Sequence, residues 1–232
     1  MLFASQGDHL PASKRNAVLC DFDGTITVQD TAEWILDKHA AGDWRALDDC
    51  YVQGKISLLE CMRDQFALVK ADRPILLKEL DHDIALRKGF AELVDTCIEN
   101  EADVFVVSAG LDFVIDHFLK RLGVDEKVSV YSARTFDDDG HIGFEFPPLI
   151  MPGAKTFKDD LVLQCRRKGF QVTYFGDGMP DTEACVISDH RFAVRNRRLE
   201  TELKKRRLAY HSFEQFLEVI PIMESILNGN LE

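Results

Sequence analysis

Ala17-Val-Leu-Cys-Asp-Phe-Asp-Gly-Thr-Ile-Thr27 is the stretch that decides how the rest of this chain is read. The apolar run Ala17 to Cys20 predicts a buried parallel strand, because strands covered on both faces read as continuous apolar segments. Two carboxylates follow at its end. If the extended conformation continues, Asp21 and Asp23 point the same way, since side chains alternate with period two. Like charges that close together are costly unless a cation joins them or one takes a proton. Gly24 allows a sharp turn, and Thr25 and Thr27 add hydroxyls nearby. Open α/β sheets bind ligands at the carboxyl ends of their strands, which is where this pair falls. A bare Asp-x-Asp-Gly is more often a surface turn, so the motif needs partners further along the chain.

A length of 232 residues suits one α/β domain with a modest insertion and ample core. With 46% hydrophobic and 29% charged residues, the composition argues against disorder. The net charge of −12 disfavours a nucleic-acid surface but leaves room for a positive pocket that takes a small anion. No apolar run approaches the roughly 20 residues needed to span a bilayer, so no membrane partner is expected. Residues 1–16 lack the apolar core of a signal peptide and read as a loose tail. The six cysteines are scattered without a Cys-x-x-Cys pair, as in the reduced core of a cytoplasmic protein. The histidines show no zinc-ligand spacing.

Asp30-Thr-Ala-Glu33 has the form of a capping box that opens a helix through Trp34, Ile35 and Leu36. Up to about residue 88 no strand is predicted. Leu58, Leu59, Met62, Phe66 and Val69 follow helical spacing, as do Ile75, Leu76 and Leu80, with Gly42, Gly54 and Pro74 as punctuation. Such a segment exceeds a simple βα connection and reads as a small helical bundle. Strands and helices then alternate. Phe90 to Ile98 give one apolar helix face, Val104–Val107 a buried strand, Asp112–Arg121 a helix and Lys127–Ser132 a strand. Thr135–Pro148, centred on Asp-Asp-Asp-Gly, reads as a hairpin. A helix over Lys158–Lys168, a strand over Val172–Phe175, a last strand over Arg191–Val194 and two C-terminal helices complete the chain. The fold class is therefore α/β, with a parallel sheet covered by helices on both faces. The basic residues between Arg195 and Arg207 are interrupted by Leu199 and Leu203, and read as the solvated side of an amphipathic helix.

Three downstream constellations join the first. Val104-Phe-Val-Val-Ser-Ala-Gly110 ends a buried strand on a hydroxyl and small residues. Taken alone, Ser108 would more often be a helix cap. Lys155 and Lys158 both stand near the start of the following helix. Tyr174-Phe-Gly-Asp-Gly-Met-Pro-Asp181 places two acids four residues apart after a strand, a pattern that ordinary turns also produce.

In this order, each after a predicted strand, these segments resemble the motifs of the haloacid dehalogenase superfamily of phosphatases. The resemblance implies a Rossmann-like parallel sheet core over 17–30 and 89–232, with a helical cap over 31–88. It implies Asp21 as nucleophile, Asp23 as general acid and base, and Ser108 as a phosphoryl contact. Backbone N–H groups of Phe22, Asp23, Ala109 and Gly110 would help to bind phosphate. Lys158, followed by Leu161 and Val162, matches the superfamily lysine in register, whereas Lys155 does not. Asp177 would complete a Mg²⁺ site with Asp21 and the carbonyl of Asp23. Asp181 would orient the metal's waters or hold Lys158, and Thr25 would support the loop. Within the superfamily the chain is similar to the phosphoserine phosphatase branch and, over Asp43-Trp-Arg-Ala-Leu47, Arg87-Lys-Gly-Phe90, Ser108–Phe113 and Asp181-Thr-Glu-Ala184, to phosphatases of methionine salvage that act on 2-hydroxy-3-keto-5-methylthiopentenyl-1-phosphate. Two departures leave the substrate open: Pro147 to Lys158 contains no cysteine, and Met179-Pro180 interrupts the phosphoserine-type fourth motif. Asp30 stands where phosphoserine phosphatases carry a substrate-binding glutamate, in competition with its role as N-cap. The expectation is a Mg²⁺-dependent hydrolase of a small phosphorylated metabolite, acting through an aspartyl-phosphate. A salvage-type sugar-like phosphate is the expected substrate, and a phosphoserine or other small-metabolite phosphatase, a phosphotransferase or mutase, and a non-catalytic phosphate-binding module are the alternatives.

Overall fold

The run Ala17–Cys20 lies near the middle of a seven-stranded sheet, with every side chain essentially inaccessible to solvent. The computed structural model describes residues 15–138 and 141–230. Its strands are β1 (Asn16–Cys20), β2 (Asp103–Leu111), β3 (Ser129–Asp138), β4 (His141–Glu145), β5 (Gln171–Gly176), β6 (His190–Val194) and β7 (His211–Phe213), in the spatial order β4-β3-β2-β1-β5-β6-β7. All neighbours are parallel except β3 and β4. Chain order reverses at β1, which has β2 on one side and β5 on the other. This is the switch point at which open sheets form a crevice.

Alternation along β1 sends Val18 and Cys20 to one face and Ala17 and Leu19 to the other. The first face is covered by α5 (Phe90–Glu99), α6 (Asp112–Leu122) and α10 (Ile220–Leu227), and the second by α7 (Phe157–Arg167), α8 (Thr182–Ile187) and α9 (Arg198–Lys205). On the first face Phe175 stacks on Phe192 at 4.3 Å between centroids and meets Phe213 edge-on at 5.6 Å. Aromatic pairs of this kind add about 0.5–1.5 kcal/mol each beyond the area they bury.

Between β1 and α5 the chain forms α1 (Thr31–His39), α2 (Trp44–Val52), α3 (Leu58–Phe66) and α4 (Arg73–Asp83). Their apolar residues, among them Ile35, Phe66, Leu76 and Leu80, belong to the same cluster as the first sheet face. Leu59 and Ile75, placed on the apolar stripes by spacing, are instead 43% and 49% exposed. The two linkers that leave and re-enter the sheet region lie side by side: Val28 N–H donates to Ala85 O at 2.9 Å and Arg87 N–H to Ile26 O at 2.8 Å.

Four further differences from the sequence reading have clear causes. Strand β1 stops at Cys20, and the N–H groups of Thr25, Ile26 and Thr27 all turn back to Phe22 O, so strand alternation does not carry through to Asp23. Strand β3 runs past Ser132 to Asp138 because it changes partners, pairing with β2 up to Ala133 and then with β4 as the predicted hairpin. The hairpin's Asp139-Gly140 lies outside the described residues, as do residues 1–14 of the expected tail; Asn16 already pairs with Gln171. Strand β6 is not the last: the three-residue β7 pairs beside it, too short and polar to show periodicity. The basic residues from Arg195 to Arg207 are exposed while Leu199 and Leu203 are fully buried.

Candidate active site

The carboxyl ends of β1, β2 and β5 bring the expected residues together. Asp21 follows β1, its N–H anchored on Phe175 O of the neighbouring strand at 2.9 Å. Lys158 is the second residue of α7, whose first turn is fixed by a reciprocal capping box between Thr156 and Asp159. From there the buried Lys158 Nζ donates to Asp21 Oδ1 and to Asp181 Oδ1, each at 2.6 Å. Lys155 points elsewhere: its exposed ammonium pairs with Glu183 at 2.9 Å.

Asp181 is the most heavily bonded carboxylate of the group. Besides Lys158 it accepts Tyr174 Oη–H at 2.9 Å, Asp177 N–H at 3.1 Å and Gly178 N–H at 3.0 Å. Four donors leave it suited to holding Lys158 and the β5 loop. Carboxylate oxygens of Asp21, Asp177 and Asp181 lie within 4.8 Å of one another, the group of acidic side chains among the described residues with metal-ligand spacing. Gly24, at φ +76°, packs its backbone so closely on Asp177 that a Cβ there would overlap the carboxylate.

Asp23 faces another way. Its Oδ1 accepts both N–H (2.9 Å) and Oγ1–H (2.6 Å) of Thr31, the first residue of α1, while Ser108 Oγ–H reaches Oδ2 at 3.3 Å. These bonds commit the Asp23 side chain, leaving its backbone carbonyl as the atom it can offer to a cation. Ser108 does not cap α6. A shift in the β2–β3 register between Ser108 and Leu111 turns it toward Asp23, and it accepts Gly110 N–H at 2.9 Å. Ala109 is half-buried beside it, and Phe22 is fully buried against Phe118 at 6.2 Å between ring centroids. Thr25 Oγ1–H donates to Asp21 Oδ2 at 3.2 Å. Asp30 caps α1, accepting Glu33 N–H at 2.9 Å.

Burial sets the electrostatics. It raises the Asp21 carboxyl, an effect that nearby Asp181 adds to and Lys158 opposes. Burial also raises Asp23, against the hydrogen bonds from Thr31 and Ser108. Asp177 is pushed up to about 6, first by burial and then by Asp181. Asp30 is pushed up to about 8 by burial and by the Asp23 charge. Desolvation works against the Lys158 ammonium, but Asp181 and Asp21 outweigh it and keep the charge in place. Crowded, partly desolvated oxygen donors with a single ammonium among them form a site that a hard divalent cation would relieve. The residues present therefore fit Mg²⁺.

Three contributors were not singled out from sequence. Thr31 is hidden inside the capping segment as an ordinary first-turn residue. Tyr174 carries its hydroxyl on an otherwise apolar strand, the one sign that it meets a polar group. Arg87 is a buried guanidinium that donates to the carbonyls of Gly24 and Thr25, and its place in Arg87-Lys-Gly-Phe90 gave no hint of burial.

The arrangement has counterparts. A family model described as haloacid dehalogenase-like hydrolase matches residues 18–185. A 2-hydroxy-3-keto-5-methylthiopentenyl-1-phosphate phosphatase from Bacillus pumilus is 28% identical over 211 residues, covering 89% of this chain and 90% of that protein. A polyol phosphate phosphatase from Saccharomyces cerevisiae is also 28% identical, covering 91% and 94%. A phosphoserine phosphatase captured as a phospho-aspartyl intermediate analogue shares the fold at a TM-score of 0.66 and 18% identity, over 90% of this chain and 99% of that one. With the matched segment running from β1 through the loop that carries Asp181, the chain belongs to the haloacid dehalogenase-like hydrolases.

Proposed function

We propose that this protein is a Mg²⁺-dependent phosphoric monoester hydrolase acting on a small phosphorylated metabolite through an aspartyl-phosphate. The observation that carries the reading is Lys158 Nζ, buried and 2.6 Å from both Asp21 and Asp181, with Asp177 alongside at the sheet's switch point. An ammonium there offsets the repulsion between a carboxylate nucleophile and an anionic phosphate ester. Mg²⁺, held by Asp21, Asp177 and the carbonyl of Asp23, supplies further charge neutralisation when bound.

Asp21 attacks phosphorus as the bond to the leaving oxygen breaks. Asp23, its Oδ1 fixed by Thr31, gives a proton from Oδ2, which carries the longer 3.3 Å bond from Ser108, to that oxygen and later takes one from the hydrolytic water. A carboxyl raised by burial is suited to arriving protonated. Lys158, Ser108 and the N–H groups of Phe22, Asp23 and Ala109 hold the phosphoryl oxygens. Gly110 N–H is already given to Ser108, so Gly110 serves by leaving room for Asp23.

The helices over 31–88 form the cap of this reading, and 17–30 with 89–232 its core. Within the cap Lys38, His39, Arg45 and Arg63 pair with Asp83, Glu79, Asp37 and Asp64. Arg73 is spent on Thr135 and the Phe113 ring. With these cations engaged, a hydroxylated, otherwise neutral substrate is preferred to phosphoserine, whose carboxylate would have to draw on the remaining cap lysines. The named activities of the two 28%-identical relatives support the same class. Asp30 contributes a hydroxyl contact as well as its cap. The six free cysteines support a cytoplasmic place of action; no helix of the described residues is long and apolar enough to cross a membrane.

A panel of phosphomonoesters assayed with Mg²⁺ and with excess chelator tests this. Polyol and keto-sugar-like phosphates should turn over with Mg²⁺ and not without it, ahead of phosphoserine and phosphopeptides. Full activity in chelator, or turnover of phosphopeptides alone, defeats the proposal.

A further inference from the structure

Arg87 is only 2% exposed, and among the described residues its one ion pair is a long contact. The partner, Glu214 Oε1, is 3.4 Å from Nη1 and half-exposed. The group instead grips backbone oxygens: Nε–H donates to Thr25 O at 2.9 Å, Nη2–H to Gly24 O at 3.0 Å and Nη1–H to Glu214 O at 2.7 Å. Burying a cation is costly unless its donors are satisfied, and here the rigid fork satisfies them on two successive carbonyls of one turn.

The gripped turn is the one that meets Asp177. Gly24 presses on the Asp177 carboxylate without room for a single methyl. The Arg87 backbone, meanwhile, belongs to the paired linkers, with its N–H on Ile26 O at 2.8 Å. One side chain thus joins the linker, the loop after Asp23 and the segment at Glu214. Relaxation of the Gly24–Thr25 turn moves Gly24 relative to Asp177 and displaces the Asp23 carbonyl one residue away.

We infer that Arg87 is a positioning residue for the metal: its fork sets the Gly24 turn so that Asp177 and the Asp23 carbonyl hold Mg²⁺ together, without itself touching the ion. This rests on the Mg²⁺ reading above. Lysine keeps the charge but carries its donors on one nitrogen, without the rigid fork that meets the two carbonyls from separate atoms, so Arg87→Lys should fold yet bind Mg²⁺ more weakly.

Calorimetric titration of Mg²⁺ into wild type and Arg87→Lys, with Mg²⁺-dependent thermal shifts, tests the inference. The variant's Kd should rise about fivefold or more, its Mg²⁺-induced Tm shift should shrink, and KM for the phosphoester at saturating Mg²⁺ should stay within about twofold. A purely structural role lowers Tm and leaves the Mg²⁺ Kd unchanged. That result overturns the inference. If the variant does not fold, the buried, hydrogen-bonded Arg87 Nε–H of wild-type protein, followed by NMR, decides: its resonance should shift in step with Mg²⁺ saturation, and a resonance that ignores Mg²⁺ overturns the inference. Wild type that binds no Mg²⁺ at all refutes the metal reading instead, which separates the two failures.

Discussion

Gly110 lies against Asp23 so closely that the Cβ it lacks would overlap Oδ2 of that carboxylate. Gly110 is not among the glycines of positive φ, so alanine there meets no left-handed backbone strain and acts mainly through Asp23, with Ser108 Oγ also crowded at 3.1 Å. Gly110→Ala should lower kcat by at least about tenfold, ~1.4 kcal/mol in the barrier, by pushing the acid from its seat. Thermal unfolding should change little. Unaltered kcat would show that the Asp23 position is not critical.

The two lysines should part company. Lys158→Ala removes the only ammonium shared by Asp21 and Asp181 and should cost kcat/KM a factor of about a hundred or more, as loss of a preorganised electrostatic contact does. Lys155→Ala deletes one exposed pair with Glu183, typically worth about 0–1 kcal/mol, and should leave kinetics near wild type. Equal losses would misplace the phosphate-binding cation.

Asp181 should matter to the fold as much as to the chemistry. Asp181→Ala leaves Lys158 with Asp21 as its remaining partner and strands the Tyr174 hydroxyl and two loop N–H groups at once. Breaking a buried ion pair by removing one partner costs about 3–5 kcal/mol. Urea denaturation should register a loss in that range, and a change under about 1 kcal/mol would contradict the bonding described.

Asp21→Asn should show the opposite balance. It removes the nucleophile and should abolish turnover by several orders of magnitude. It also replaces a carboxyl that burial raises first, with Asp181 adding and Lys158 opposing, so the neutral variant should melt at or above the wild-type temperature. Substantial residual turnover in a clean preparation would remove the aspartyl-phosphate route.

Asp30 gives a pH-dependent prediction. Burial and Asp23 raise its carboxyl to about 8, so the proton binds more tightly in the folded chain than in the unfolded one. That contribution is complete below the ordinary carboxylate range near pH ~4 and fades as pH climbs through about 8. Asparagine caps helices as well as aspartate and carries no such proton. Stability of Asp30→Asn relative to wild type should therefore rise across this interval, as followed by denaturant midpoints at several pH values. A flat difference would mean Asp30 titrates normally. A raised KM without unfolding would identify substrate contact.

Most of the sheet was readable because β1, β2 and β5 are buried on both faces and appear as uninterrupted apolar runs. The order of the motifs placed Asp21, Ser108 and Asp177 at the ends of those runs and Lys158 at the start of the helix before β5. What stayed hidden was tertiary. An arginine in Arg87-Lys-Gly-Phe90 looks like surface until Gly24 and Thr25 present their carbonyls to it. Leu59 and Ile75 satisfy a helical period but sit at the edge of the stripe, where spacing cannot say how wide the covered face is. Strand β7 is three residues long and takes its identity from β6 rather than from its own pattern.

The paired linkers have an architectural consequence. Residues 29–84 leave and return at points one hydrogen bond apart, Val28 N–H on Ala85 O. Lengthening a segment whose ends are joined in this way adds only slowly to the entropic cost of closing the chain, about 0.6 kcal/mol for each doubling. Helices of another size or shape could be spliced between the same two residues while the Ile26–Arg87 pairing kept the seam aligned. The junction behaves as a cassette port, and diversity of substrate can be sought by exchanging what is plugged into it, provided a residue in the place of Thr31 still holds Asp23.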